Sequence, residues 1–154
     1  MTTIPVALTA NGYQIRVERG ILSRAGEEIA AVTKARRAAL ISDSQVGPLY
    51  ASKVKESLEK AGFTVHTVNF PAGEANKTDA TLHMLYDVLL SWGMTRGDAV
   101  VALGGGVVGD TAGYAAATLF RGMDCIQIPT SLMAQVDSSV GGKTGVDLPQ
   151  GKNL

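Results

Sequence analysis

The residues best suited to chemistry begin where the apolar run Ala99-Val100-Val101-Ala102-Leu103 breaks into Gly104-Gly105-Gly106-Val107-Val108-Gly109-Asp110. Glycine lets a backbone turn sharply and lets a ligand approach the main chain. A helix restarting after such a turn presents free N–H groups and the positive end of its dipole, which together attract an anion. Gly104, Gly106 and Gly109 fit the spacing G-x-G-x-x-G in a strand, turn and helix context, so a nucleotide phosphate is the expected ligand and a plain tight turn the alternative. One feature departs from the usual dinucleotide fingerprint, which opens on the first strand and has an acid near the end of the second. Here the turn comes two-thirds of the way along, and the next strand, Asp124-Cys125-Ile126-Gln127-Ile128, carries its acid at the start.

A second stretch, Pro129 to Gly145, gathers hydroxyls, the carboxylate of Asp137 and the ammonium of Lys143 among glycines. Binding and catalytic groups collect on loops held by a rigid scaffold, so a site role is expected here. Asp137 to Thr144 nearly spells the phosphate loop G-x-x-x-x-G-K-T. Asp137 stands in place of the first glycine, however, and would set a carboxylate where phosphates nest. No strand feeds directly into it, and the phosphate-loop reading is set aside.

Other candidates are balanced locally. Asp43 ends a short apolar strand, where it would serve a ribose or base equally as well as it would cap the next helix. Glu74 and Lys77 lie in Pro71-Ala72-Gly73-Glu74-Ala75-Asn76-Lys77, which by itself reads as a charged surface turn. Arg121 closes a helix, where the dipole alone favours a cation. His66 and His83 have no metal-ligand spacing between them. Cys125 is the only cysteine, which excludes disulfides and cysteine-based metal sites within the chain and fits a reducing cytoplasm.

The elements that must position these residues follow from periodicity. Ile4 to Leu8 and Tyr13 to Glu18 alternate as strands around Asn11-Gly12, predicting an edge hairpin. Leu22, Ala25, Ile29 and Val32 recur at helical spacing, and Ala38 to Ile41 make a short strand. Leu49, Val54, Leu58 and Ala61 share a helix face between Pro48 and Gly62. Thr64 to Phe70 is the next strand. A helix over about 78–92 puts Leu82, Leu85, Leu89 and Trp92 on one side, and after the glycine turn Thr111 to Phe120 is rich in small residues that pack close. This alternation predicts an α/β fold, a Rossmann-like and mostly parallel sheet with helices on both faces and a hairpin at the N-terminus.

The chain has 154 residues, enough for one domain with a buried core. Fourteen basic and fourteen acidic residues cancel, which removes the electrostatic footprint of a nucleic-acid or anionic-membrane binder and leaves a small molecule as the expected partner. No apolar run approaches the ~20 residues of a membrane helix. Eighteen glycines concentrate after residue 93, and the sequence stops at Gly151-Lys152-Asn153-Leu154 without a closing element, as if cut.

Together, Pro71-x-Gly73-Glu74-x-x-Lys77, Gly104 to Asp110, Arg121-Gly122, Pro129 to Gly145 and Gly151-Lys152-Asn153 resemble the N-terminal half of the 3-dehydroquinate synthase family, within the sugar phosphate cyclases. The run Val136 to Gly145 is the most specific of the five. Departures are Ser131 for a second threonine, Met133 for leucine and Asp147 for asparagine. The resemblance implies a pyrophosphate of NAD on Gly105, Gly106, Val107 and Gly109. Asp43, Glu74, Lys77, Asp110, Thr130, Ser131 and Leu132 would line the nucleotide, with Lys143 and Lys152 reaching it. Asp137, Lys143, Lys152 and Asn153 match positions that meet the substrate or nicotinamide region. Arg121 matches one that reaches the phosphate of a neighbouring subunit's substrate, so a homodimer is implied.

The implied reaction is a lyase step of the shikimate pathway, in aromatic amino acid and chorismate biosynthesis. It converts 3-deoxy-D-arabino-heptulosonate 7-phosphate, a sugar acid phosphate, to 3-dehydroquinate and phosphate. A hydroxyl is transiently oxidised by NAD, phosphate leaves, the carbonyl is reduced again and the ring closes on carbon. Oxidation comes first because a carbonyl acidifies the adjacent C–H, and lysines around the departing anion stabilise the developing charge. The family's divalent metal, zinc or cobalt, sits on a glutamate and two histidines of a helical domain expected beyond Leu154. The resemblance therefore implies a 154-residue NAD-binding domain with part of the cofactor pocket and no turnover of its own. The alternatives are a related sugar phosphate cyclase, a metal-dependent polyol dehydrogenase, or a non-catalytic nucleotide-binding module.

Overall fold

The computed structural model describes residues 1–8 and 12–154. Four parallel strands, β3 (Arg37–Asp43), β4 (Thr64–Phe70), β5 (Ala99–Gly104) and β6 (Asp124–Pro129), form one sheet in the order β4-β3-β5-β6. The helices are α1 (Ala25–Ala30), α2 (Gly47–Lys60), α3 (Asp79–Ser91) and α4 (Gly106–Thr118). β1 (Thr2–Val6) and β2 (Tyr13–Val17) pair antiparallel.

The two central strands are buried along nearly their whole length, as a parallel sheet covered on both faces requires. Their side chains alternate between two cores. Ala39, Ile41, Val100 and Ala102 face a cluster with Leu82, Leu85 and Leu89 of α3 and Val108, Ala112, Ala115 and Ala116 of α4. Ala38, Leu40, Ala99, Val101 and Leu103 face the opposite cluster, with Ile29 of α1 and Val54 and Leu58 of α2. The period of two along each strand therefore seats α3 and α4 on one face and α1 and α2 on the other. The predicted fold class stands.

Several expectations need correction. The hairpin is a sheet of its own rather than an edge of the parallel sheet. Asn11 of its predicted turn lies outside the described residues. Helix α1 stops at Ala30, so Val32 projects into solvent, and Leu22 belongs to a short 3-10 turn before it. Leu49 is exposed, because α2 buries the face of Gly47, Ala51, Val54 and Leu58 and Leu49 lies on the other side of the helix. Trp92, the residue after α3, does pack on the same cluster as Leu82, Leu85 and Leu89, and it stacks on His66 of β4, ring centroids 4.8 Å apart. Cys125 is exposed on the outermost strand.

Helix α4 begins at Gly106 and ends at Thr118. Beyond it Phe120 and Arg121 adopt left-handed φ angles of 54° and 64°, followed by Gly122 at 107°. Asp124, at the start of β6, accepts a hydrogen bond from the Thr33 hydroxyl at 2.6 Å, which gives that acid a structural role far from the strand's carboxyl end.

Candidate functional site

The sheet order fixes where a ligand binds. From β3 the chain moves outward to β4, then returns past β3 to lay down β5 and β6 on the other side, so the winding direction reverses between β3 and β5. Ligands of open α/β sheets sit outside the carboxyl ends of the strands at such a reversal. Asp43 ends β3 and Gly104 ends β5 at this point. The Ser42 hydroxyl donates to the Leu103 carbonyl at 2.7 Å and ties the two strand ends together.

The glycines of the turn do different jobs, and none of the four at 104, 105, 106 and 109 takes a positive φ. Their need is space. A Cβ on Gly104 would meet the Val108 side chain at 2.5 Å, and one on Gly109 would meet the Gln127 amide oxygen at 2.7 Å, so these two let α4 press onto its own strand and onto β6. Gly105 and Gly106 face outward instead, toward the hydroxyls of Ser131 and Ser138 at 3.5 and 3.1 Å from the same hypothetical atoms. No side chain caps the N-terminus of α4. An uncapped helix start with glycine at its mouth fits an anionic group such as a pyrophosphate.

One turn into α4, Asp110 meets Lys77. The ammonium lies 2.5 Å from the Asp110 carboxylate and donates also to the Asn153 side-chain oxygen at 2.5 Å. Lys77 is 4% exposed. A solvated surface turn is thereby excluded for this residue, since a lysine is buried only with partners. Glu74 does sit at the surface, where it pairs with Lys152 at 3.4 Å. Between them the segment 147–152 and the start of α3 enclose an open cleft of about 400 Å³ lined by Glu74, Thr78, Asp79, Asp147, Leu148 and Lys152.

Asp43 uses one carboxylate oxygen to accept from the backbone N–H groups of Gln45 and Val46 at 2.9 and 2.7 Å. It organises the entry to α2, the cap-like role weighed above, while standing at the reversal point. Thr130 donates its N–H to the Gly104 carbonyl at 2.9 Å, and Ser131 accepts from Ala134 N–H at 3.2 Å, so the end of β6 is bound to the turn. Leu132 is exposed.

Residues 134–138 form a short π-helical turn that carries Ser138 against Gly106. Asp137 and Lys143 form an ion pair with each other, both side chains more than half exposed, and do not join the Lys77 cluster. That pairing and the left-handed Gly141 and Gly142 make the stretch unlike a phosphate loop. Arg121 stands apart from all of these. The 13 residues of α4 separate it from the glycine turn by roughly 20 Å at 1.5 Å per residue.

Sequence reasoning passed over Ser42, Gln127, Ser138 and Asp147. Gln127 donates to the Gly109 carbonyl at 3.1 Å, and Asp147 accepts from the Asn153 N–H at 2.9 Å. A polar residue inside an apolar strand was the available signal for Ser42 and Gln127. Ser138 was marked only as one of the hydroxyls of the Pro129 to Gly145 stretch, and Asp147 only as a departure from the family pattern. Among the described residues no three His, Cys, Asp or Glu side chains gather as a metal would require.

The class that the fold and the site define is a doubly wound α/β domain with an uncapped helix at its reversal point. The family described as "3-dehydroquinate synthase N-terminal" matches residues 67–154. The chain belongs to the 3-dehydroquinate synthase family. It is 52% identical over its whole length to 3-dehydroquinate synthase of Latilactobacillus sakei subsp. sakei and spans 43% of that relative. Among solved structures it is similar to 2-deoxy-scyllo-inosose synthase complexed with carbaglucose-6-phosphate, NAD+ and Co2+, with a TM-score of 0.90 and 31% identity over 99% of this chain and 41% of that one. It is also similar to 2-epi-5-epi-valiolone synthase from Streptomyces hygroscopicus subsp. jinggangensis 5008 with NAD+ and Zn2+ bound, with a TM-score of 0.81 and 30% identity over 96% of this chain and 41% of that one. The chain thus spans less than half the length of these relatives.

Proposed function

We propose that this chain is the cofactor-holding part of a 3-dehydroquinate synthase and binds NAD at the reversal point between β3 and β5. The observation that carries the reading is the uncapped start of α4, with Gly105 and Gly106 at its mouth and Lys77 and Asp110 one turn further in. Amides of Gly105, Gly106 and Val107 would receive the pyrophosphate, with Gly109 keeping the helix close enough to β6 for them to converge. Asp43, Glu74, Thr130, Ser131 and Leu132 border the nucleotide. Bound NAD supplies a reversible hydride acceptor.

Lys143, Lys152, Asp137 and Asn153 would serve the sugar acid phosphate, the two lysines offsetting negative charge as phosphate leaves. Asp137 holds Lys143 until an anion competes for it. In the full-length protein the substrate is 3-deoxy-D-arabino-heptulosonate 7-phosphate and the products are 3-dehydroquinate and phosphate, in the cytoplasm and within the shikimate pathway. A divalent metal, zinc or cobalt, is held outside this domain. Arg121 faces the partner's substrate in a homodimer, a reading supported by its distance from the glycine turn. The 154 residues alone bind cofactor without turnover.

The deciding experiment is calorimetric titration of the chain with NAD+, with and without zinc. Saturable binding lost in G106A supports the proposal. Absence of saturable binding at about 1 mM, an affinity of about −4 kcal/mol, overturns it. A related cyclase substrate is the second reading, favoured by the 0.90 TM-score to 2-deoxy-scyllo-inosose synthase. Phosphate release by the full-length protein from each substrate separates the two.

A further inference from the structure

Residues 146–154 are attached to the domain at few points, and Lys77 supplies two of them, beside a surface pair between Lys152 and Glu74. The Lys77 carbonyl accepts from the Asp147 N–H at 2.7 Å, and Thr78 bridges Asp147 in parallel register. The Lys77 ammonium reaches the Asn153 side-chain oxygen while paired to Asp110 on α4. Asp147 closes the arrangement by accepting from the Asn153 N–H, and a tight turn with reciprocal Leu148 and Gly151 backbone bonds lies between. Val146, buried in the α3 and α4 core, anchors the near end.

Asn153 sits at a φ of 55°, a left-handed conformation that asparagine adopts more readily than most residues bearing a side chain. Removing a lysine ammonium from water costs several kcal/mol, and its three donors must be matched. Asp110 alone satisfies the charge. The Asn153 oxygen satisfies a further donor, so the segment and the ammonium each depend on the other.

We propose that Lys77 is a positioning residue that hangs the 146–154 segment on the first turns of α4, setting Asn153 and its neighbour Lys152 relative to the glycine turn before any ligand arrives. The link joins the cofactor end of the domain to the residues assigned above to the substrate, and in that respect it rests on the proposed function. It assigns Lys77 a second task besides lining the nucleotide: a rigid strut between two sites.

The test is hydrogen exchange by NMR on the ligand-free chain, following the amides of residues 153 and 154 against those of β3 and β5. N153G keeps the left-handed backbone and removes the acceptor, and about tenfold faster exchange at 153 and 154 with unchanged strands is expected. N153D keeps an acceptor oxygen in a side chain of the same size and is expected to keep protection. K77M leaves Asp110 unpaired and is liable to unfold, so the K77M/D110N pair is used, with the same loosening expected and none added by N153G. Wild-type protection in N153G, or in the K77M/D110N pair, overturns the proposal. NAD+ calorimetry on the wild-type chain is separate: failure there removes the cofactor reading and leaves the exchange result standing.

Discussion

The Ser42 hydroxyl and the Leu103 carbonyl meet at 2.7 Å in a fully buried position, joining the ends of β3 and β5 beside the uncapped start of α4. The bond lies where the sheet's winding reverses and extends the pairing of β3 and β5 beyond Ile41 and Ala102. S42A removes a buried donor and is expected to cost about 1–2 kcal/mol in urea unfolding. It is also expected to weaken NAD+ binding by calorimetry, because the glycine turn hangs from Leu103. Unchanged stability and affinity together would show that the pairing needs no such bond.

The four glycines of the turn are expected to separate experimentally. G104A forces a methyl group into the β-branched Val108 side chain and should destabilise the fold by about 1–3 kcal/mol. G106A places its methyl near the Ser138 hydroxyl, which can shift, so the fold should survive while the amides at the mouth of α4 are screened. Thermal melts paired with NAD+ titration check both, and the reverse pattern would mean that Gly106 serves packing.

At the opposite ends of the strands, Arg37 grips Asp98 through two hydrogen bonds of 3.1 and 2.7 Å. Burial raises the Asp98 pKa, but hydrogen bonds from the Arg37 guanidinium and from the Thr95 amide and hydroxyl outweigh it and hold the carboxyl below its ordinary value. A depressed folded pKa contributes stability above the unfolded value, near 3.9, and that contribution is lost as pH falls through the folded value. D98N is therefore expected to cost about 3 kcal/mol at pH 7, the low end for a buried pair because Arg37 is one-third exposed. The difference from wild type should shrink below about pH 4. Urea unfolding at both pH values measures this, and a difference independent of pH would exclude the ionised carboxylate as its source.

Arg121 carries a left-handed backbone at an exposed position, and a side chain in that conformation costs about 1–2 kcal/mol. R121G relieves the strain at some cost in unfolded-chain entropy, for a net gain of about 0.5 kcal/mol. Denaturant midpoints check the sign. A loss of stability would show that the guanidinium has a folding role within this chain.

The alternation of strands and helices was legible because each core face is written locally: Leu82, Leu85 and Leu89 recur at helical spacing, and the β3 and β5 residues form short apolar runs. Val32 misled because its periodicity continues past the end of α1, and Leu49 because it lies five residues before Val54, off the buried face of α2. The hairpin was legible as a hairpin, but its separateness from the parallel sheet was not, since strand pairing between distant segments leaves no local mark.

The glycine turn, its position before a helix and the five motifs that mark the family were determined by the sequence alone, because each depends on residues adjacent in the chain. Only the tertiary structure decided that Lys77 is buried against Asp110, 33 residues on, and Asn153, 76 residues on. It also decided that Gly104 and Gly109 serve packing whereas Gly105 and Gly106 face outward. The reason is that burial and partnership are set by the order in which strands lie side by side, and that order brings together residues whose spacing along the chain carries no period.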